Sequence, residues 1–315
     1  MLRFLSAASV LALGACSAEE PARHAPATAV GWSIAPEGDL NDFFECLEAK
    51  GVTLVAAHRG GPGRGFPENA IETFERTLEA APALLEIDVA TAADGVLYLM
   101  HDDTLDRTTT GSGATDALSS AEIAKLSLRD GSGRVTAFRP PRFSDALRWA
   151  KGRTILEIDF KRTTRYEDVV AEIVRQQAGD RVVFIAYSTA QAQKLHRLAP
   201  DVMISLNLAT QSDLNRAVAA GVPADRLLGF TGVEAPNPRL FSVLNRQDVE
   251  VVFGTLGGRD SIDDEIAATG DEARYAKIAG MGADIIATDR PSAAQAALDA
   301  AGRGASTGLC GIGRG

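Results

Sequence analysis

The chain has 315 residues, of which 45% are apolar and 23% charged, and its net charge is −10. That balance fits a globular protein with room for one large domain or two small ones. It argues against a nucleic-acid partner, because phosphate-backbone binding rests on clustered Lys and Arg that are not present, so any anionic substrate must be held by a local site.

The chain begins with "MLRFLSAASVLALGAC": one basic residue, an apolar run and then small residues, the pattern of a secretion signal too short to span a bilayer. Leu13 to Cys16 resemble the lipobox of bacterial lipoproteins. That resemblance implies a signal peptide over 1–15, a lipid on Cys16 and, with Ser17 rather than Asp following, an outer-membrane anchor facing the periplasm. A plain signal peptide cleaved nearby is the simpler alternative. Residues 16–38 are rich in Ala, Pro and Glu without apolar period and read as a flexible tether. Cys46 and Cys310 either pair in an oxidising compartment, tying the two ends of the domain together, or stay free.

Over 39–303, apolar runs of strand length alternate with helix-like segments, as in an α/β protein with a mostly parallel sheet. Strands are predicted at 53–58, 84–89, 96–101, 154–160, 182–187, 202–207, 227–231, 250–254 and 283–288, one more than an eight-stranded barrel needs. Helices are predicted at 40–49, 70–81, 119–127, 143–151, 165–177, 189–199, 211–220, 238–246 and 272–281. Asn69 with Glu72, and Ser119 with Glu122, are spaced like capping boxes. The polar stretch 102–142 reads as an insertion over one end of the sheet, and 304–315 as a tail.

In "LLEIDVATAADG", Glu86 and Asp88 are two apart on a strand, so both point to one face while Leu85, Ile87 and Val89 point to the other. Two carboxylates aimed into an apolar sheet cost several kcal/mol unless a cation or donors compensate. "TILEIDFK" repeats the pattern with Glu157, Asp159 and Lys161. Oxygen-only ligands suit one hard cation, Mg²⁺ or Ca²⁺. His58 and His101 each end an apolar run. If residues 93–95 form a tight hairpin, the return strand brings His101 to Asp88; if the strands run parallel, both still emerge at one rim. Two imidazoles, a carboxylate cluster and the fixed cations Arg59 and Lys161 are equipment for phosphoryl chemistry. His24 and His196 read as surface residues. For Asp289 and Arg290, a structural ion pair and a substrate contact stay open, as do orienting His101 and starting a turn for Asp102.

"HRGGPGRGFPENAIETF", "EIDVATAADGVLYLMHDDTLDRTTTGSG", "LEIDFK" and "ADIIATDRP" resemble, in order and spacing, the glycerophosphodiester phosphodiesterase family over about residues 53–295. The resemblance implies a (β/α)₈ TIM-type barrel, here with a small insertion after the third strand. It implies His58 and His101 as the acid/base pair and Arg59 and Lys161 on the substrate phosphate. The implied metal ligands are Glu86, Asp88 and Asp159, the last in place of the family's usual Glu, with Glu157 able to share the role. The partner implied is a small glycerophosphodiester, cleaved to glycerol 3-phosphate and an alcohol through a cyclic phosphate; the membrane is met only through the lipid anchor. Ala70, Tyr187–Ser188 and "FGTLGG" at 253–258 depart from the family pattern. Two other readings are a lysophospholipase D or sphingomyelinase D-like lipid phosphodiesterase, which needs an apolar groove, and a non-catalytic ligand-binding barrel lipoprotein. The second predicts loss of one of His58, His101, Glu86 or Asp88, and all four are present.

Overall fold

The computed structural model describes residues 31–315, so Cys16, the signal segment and His24 lie outside the described residues. The chain opens on strand β1 (Trp32–Ile34) and helix α1 (Leu40–Ala49) and then alternates: β2 (Leu54–Ala57), α2 (Ile71–Ala80), β3 (Ala83–Thr91), β4 (Leu97–Leu99), α3 (Ser120–Ile123), α4 (Phe143–Ala150) and β5 (Leu156–Phe160). There follow α5 (Tyr166–Arg175), β6 (Val182–Ala186), α6 (Thr189–Leu198), β7 (Met203–Asn207), α7 (Gln211–Ala219), β8 (Leu227–Phe230), α8 (Pro238–Asn245) and β9 (Glu250–Gly254). The last elements are α9 (Ile262–Thr269), α10 (Ala273–Ala279), β10 (Ile285–Thr288), α11 (Pro291–Ala300) and β11 (Ile312–Arg314).

Parallel strands β2, β3 and β5 to β10 pair in the order β2-β10-β9-β8-β7-β6-β5-β3, and β2 pairs with β3 to close the ring. This is a (β/α)₈ barrel. The surplus ninth run is β4: a turn at Ala92–Gly95 folds it back antiparallel onto the end of β3, with Val89 opposite Leu99, and it stays outside the ring. The insertion therefore follows the second ring strand and its hairpin arm, and it packs its own cluster of Tyr98, Met100, Leu105 and Ile123 above the sheet.

Strand alternation sorts the ring residues into two sets. Outward residues such as Val55, Leu85, Ile87, Ile158 and Phe184 pack under the helices. Inward ones form layers, as barrel interiors do. The lowest, Leu54, Leu84, Ile155, Val183, Met203 and Leu228, is fully buried against Leu40, Phe43, Phe44 and Leu47 of α1, which plugs the end where the strands begin. Among the described residues, that closed floor leaves the opposite rim as the end of the lumen from which a ligand can enter.

The plug is clasped. β1 and β11 pair antiparallel, with Ile34 opposite Ile312 and both buried in the floor cluster, and Cys46 of α1 is disulfide-bonded to Cys310. Residues 32–34 and 312–314 are thus strands, where a tether and a tail were expected, because their isoleucines have apolar surface to bury. The disulfide settles the open pairing of the two cysteines.

Two helices were absent from the sequence expectation, α9 and α11. The predicted box at Ser119 and Glu122 caps α3. The one at Asn69 does not form: α2 starts after Ala70, and Asn69 sits at φ +58° with its side chain on Asp88 instead.

Glu250, at the start of β9, is 4% exposed, with one carboxylate oxygen lacking a hydrogen-bond partner. Burial, aided by the charge of Asp284, pushes its pKa up to about 8. A raised carboxyl pKa means the folded state holds the proton longer than the unfolded chain. The stabilisation is complete below the unfolded value and is lost as pH rises through the folded one. Glu250→Gln is expected to flatten the decline of Tm between about pH 5 and about pH 9. An equally steep decline in the variant would show that Glu250 does not drive it.

Candidate active site

The open rim carries the predicted residues, each delivered by a strand end. β3 and β5 pair in a register that sets Glu86 beside Glu157 and Asp88 beside Asp159. Both acidic strands therefore face one lumen. His58 follows β2, and the β3–β4 hairpin returns the chain so that the Met100 amide donates to the Asp88 carbonyl, bringing His101 to the same rim. His58, His101, Glu86, Asp88, Asp159, Lys161 and Glu157 all line one cavity of about 280 Å³.

Each histidine is held by a carboxylate. His58 Nδ1 lies 2.7 Å from Asp289 Oδ1, and His101 Nδ1 lies 2.7 Å from Asp102 Oδ1. Burial acts against ionisation of Asp289, but the hydrogen bond and charge of His58 hold its pKa below the ordinary value. Arg107, followed by His101, lowers that of Asp102. Ionised carboxylates only accept, so each Nδ1 carries the hydrogen and each Nε2 is free. The backbone of Asp289 is fixed in turn by Asp263, buried under the rim, which accepts from the Asp289 amide, the Thr288 hydroxyl and the Tyr275 hydroxyl. Arg290 pairs with Glu272 and Asp289 with His58, so both make contacts within the protein at the rim.

Oxygens of Glu86, Asp88 and Asp159 lie within 4.8 Å of one another. Burial, and then the charge of Asp88, raises the pKa of Glu86 well above the carboxylate range. Lys161 Nζ sits 2.5 Å from both Asp88 and Asp159, and despite burial their charges raise its pKa. Asp159 Oδ1 is buried without a hydrogen-bond partner. Three oxygen-donor carboxylates, one with an unsatisfied atom, fit a hard divalent cation. Glu157 is not grouped with the trio: it stands beside Glu86 on the neighbouring strand, two residues below Asp159, and lines the cavity together with Ser205.

Arg59 occupies a left-handed conformation (φ 50°, ψ 30°), which directs its amide to Glu86 Oε2 at 2.7 Å. Its guanidinium reaches Glu68 at 3.2 Å, and its Nε, 3.8 Å from Asp88, has no hydrogen-bond partner. Gly60 precedes Gly61 in the same loop at φ +81°, and a side chain there would meet the ring of Phe74 at 2.2 Å. Sequence reasoning missed Asn69, which exchanges hydrogen bonds with Asp88, and Arg107, which bridges Glu68 and Asp102. Tyr187, seen in the sequence only as a departure from the family pattern, also lines the cavity. The motifs containing Glu68, Asn69 and Arg107 were in view, but their partners lie on other segments.

The profile of the glycerophosphoryl diester phosphodiesterase family matches residues 58–293. A glycerophosphodiester phosphodiesterase of Bacillus altitudinis is 29% identical over 166 residues, 49% of this chain and 66% of that relative. The chain spans two thirds or less of the curated relatives it matches. Among solved structures, a glycerophosphoryl diester phosphodiesterase from Parabacteroides distasonis superposes with TM-score 0.80 at 28% identity, covering 90% of this chain and 99% of that one. A phosphodiesterase of Oleispira antarctica, solved with the product sn-glycerol-3-phosphate, shares the fold with TM-score 0.61 at 20% identity, over 79% of this chain and 97% of that one.

Proposed function

This chain belongs to the glycerophosphoryl diester phosphodiesterase family, and from that premise we propose that it hydrolyses small glycerophosphodiesters to glycerol 3-phosphate and an alcohol. The observation carrying this reading is that two carboxylate-held histidines, a carboxylate trio and Lys161 converge on one cavity. That volume lies near the small end of ligand sites, roughly 300–1,000 Å³, and suits a compact diester.

In this reading Glu86, Asp88 and Asp159 hold one divalent cation, Mg²⁺ or Ca²⁺, which when bound supplies stabilisation of charge on the phosphate oxygens. Lys161 and the Arg59 guanidinium add fixed positive charge. One histidine, through Nε2, takes the proton of the glycerol hydroxyl next to the ester as that oxygen attacks phosphorus. The other donates its proton to the departing alcohol oxygen. The resulting cyclic phosphate is opened by water with the two histidines in exchanged roles, restoring both protonation states. Asp289 and Asp102 keep each ring oriented and stabilise its imidazolium form.

The test is release of glycerol 3-phosphate from glycerophosphocholine and glycerophosphoethanolamine. Release is expected to cease with EDTA and to return with Mg²⁺ or Ca²⁺. Absence of release with either metal would remove this reading.

A further inference from the structure

Below Asp88, Asp159 and the histidines, and level with Glu86, the cavity ends in a floor of two characters. Glu157 on β5 and Ser205 on β7 form its polar side; Ile185, Phe230 and Val252 form its apolar side. Glu157 and Ser205 are 4% and 3% exposed, so both are buried polar groups facing a cavity rather than solvent. The Ser205 hydroxyl is near enough to the Glu157 carboxyl to act on its ionisation, and the carboxyl oxygens and the serine oxygen can all accept. A buried carboxyl with only a hydroxyl for company is costly to maintain without a further partner. It is not placed to serve the cation, whose ligands are grouped without it.

We propose that Glu157 and Ser205 form a specificity subsite that receives the terminal hydroxyl of the substrate's glycerol moiety. This inference rests on the hydrolytic reading above. Along β5, Glu157 is two residues below Asp159, a drop of roughly 6–7 Å along the strand. That is about the reach of a three-carbon polyol whose phosphate stays at the rim. Beneath Glu157 the lumen is sealed by Leu54, Ile155 and Met203, so only the end of a molecule can occupy the floor. A hydroxyl both donates and accepts, which matches a carboxyl paired with a serine. An ammonium only donates, and would leave the Asn207 amide above the floor without a ligand acceptor. The apolar side lies against the carbon chain.

The experiment compares glycerol 3-phosphate with propane-1,2-diol 1-phosphate, which keeps the hydroxyl next to the ester and lacks only the terminal one. Binding of both is measured by calorimetry with Mg²⁺ or Ca²⁺ present, and kcat/KM is measured for the matching choline diesters. The unmodified protein is expected to prefer the glycerol compounds by about tenfold or more, as sites built around a buried hydroxyl partner do. Glu157→Leu is expected to bring that ratio close to one, Glu157→Gln to retain part of it, and Ser205→Ala to reduce it. Calorimetric affinity for the cation should be the same in Glu157→Gln as in the unmodified protein. A ratio left intact in Glu157→Leu and Ser205→Ala overturns the proposal. So does a loss of cation affinity in Glu157→Gln, which would make Glu157 a metal ligand. Weakening confined to diesters with choline or ethanolamine heads overturns it in favour of an ammonium subsite. If no diester is turned over, the hydrolytic reading falls by itself, while the binding ratio still decides whether the floor reads the hydroxyl.

Discussion

Replacing His58 with Ala is expected to lower kcat for glycerophosphodiester hydrolysis by about a thousandfold or more while leaving the circular dichroism spectrum unchanged. A positioned acid/base contributes roughly 10²–10⁴ in rate, and in the proposed mechanism the same group acts in both the closing and opening of the cyclic phosphate. The imidazole is 21% exposed at the rim, so its removal opens no large cavity in the core. His101→Ala is expected to cost as much. The double variant should fall well short of the product of the two losses, since proton transfer that lacks either partner already fails. Activity within tenfold of the unmodified protein in either single variant would remove that histidine from the chemistry.

Asp88→Asn carries the second large effect. Asp88 is 1% exposed and serves three neighbours at once: Lys161 at 2.5 Å, the Asn69 amide at 2.6 Å and the carboxylate trio. The change keeps the shape and removes the charge. It should weaken cation affinity by about a hundredfold, because hard divalent ions are held chiefly by the number of anionic oxygens. Activity should fall at limiting cation and recover in part at excess. Calorimetric titration with Mg²⁺ and Ca²⁺ is the check, and unchanged affinity for both would dismiss the trio as a metal site.

Much of this was legible in the sequence because local rules decide it. Period-two alternation put Glu86 with Asp88 and Glu157 with Asp159 on inward faces before any strand was paired, and the register of β3 on β5 then set them side by side. What sequence could not supply was closure. Asp289 is 231 residues from His58, and only joining the last strand to the first brings them to 2.7 Å. Arg107 joins Glu68 to Asp102 across the insertion by a path no local pattern encodes. Helix α9 was missed because Asp263 breaks its apolar stripe; that carboxylate is buried to hold Thr288 and Asp289. Asn69 was misread as a helix cap because the spacing of a cap and of a turn are alike. The difference lay in Asp88, which offered its side chain a better partner.

The clasp of β1 on β11, stapled through Cys46 and Cys310, lies at the plugged end of the barrel, opposite the histidines. Both exits of the described chain therefore leave from the rear of the molecule. Attached by either terminus to a resin, a fusion partner or a bilayer, the protein would turn its back to the support and its mouth to the surrounding water. Whatever held it by either end would then lie behind it, and solutes diffusing past would meet the open mouth first.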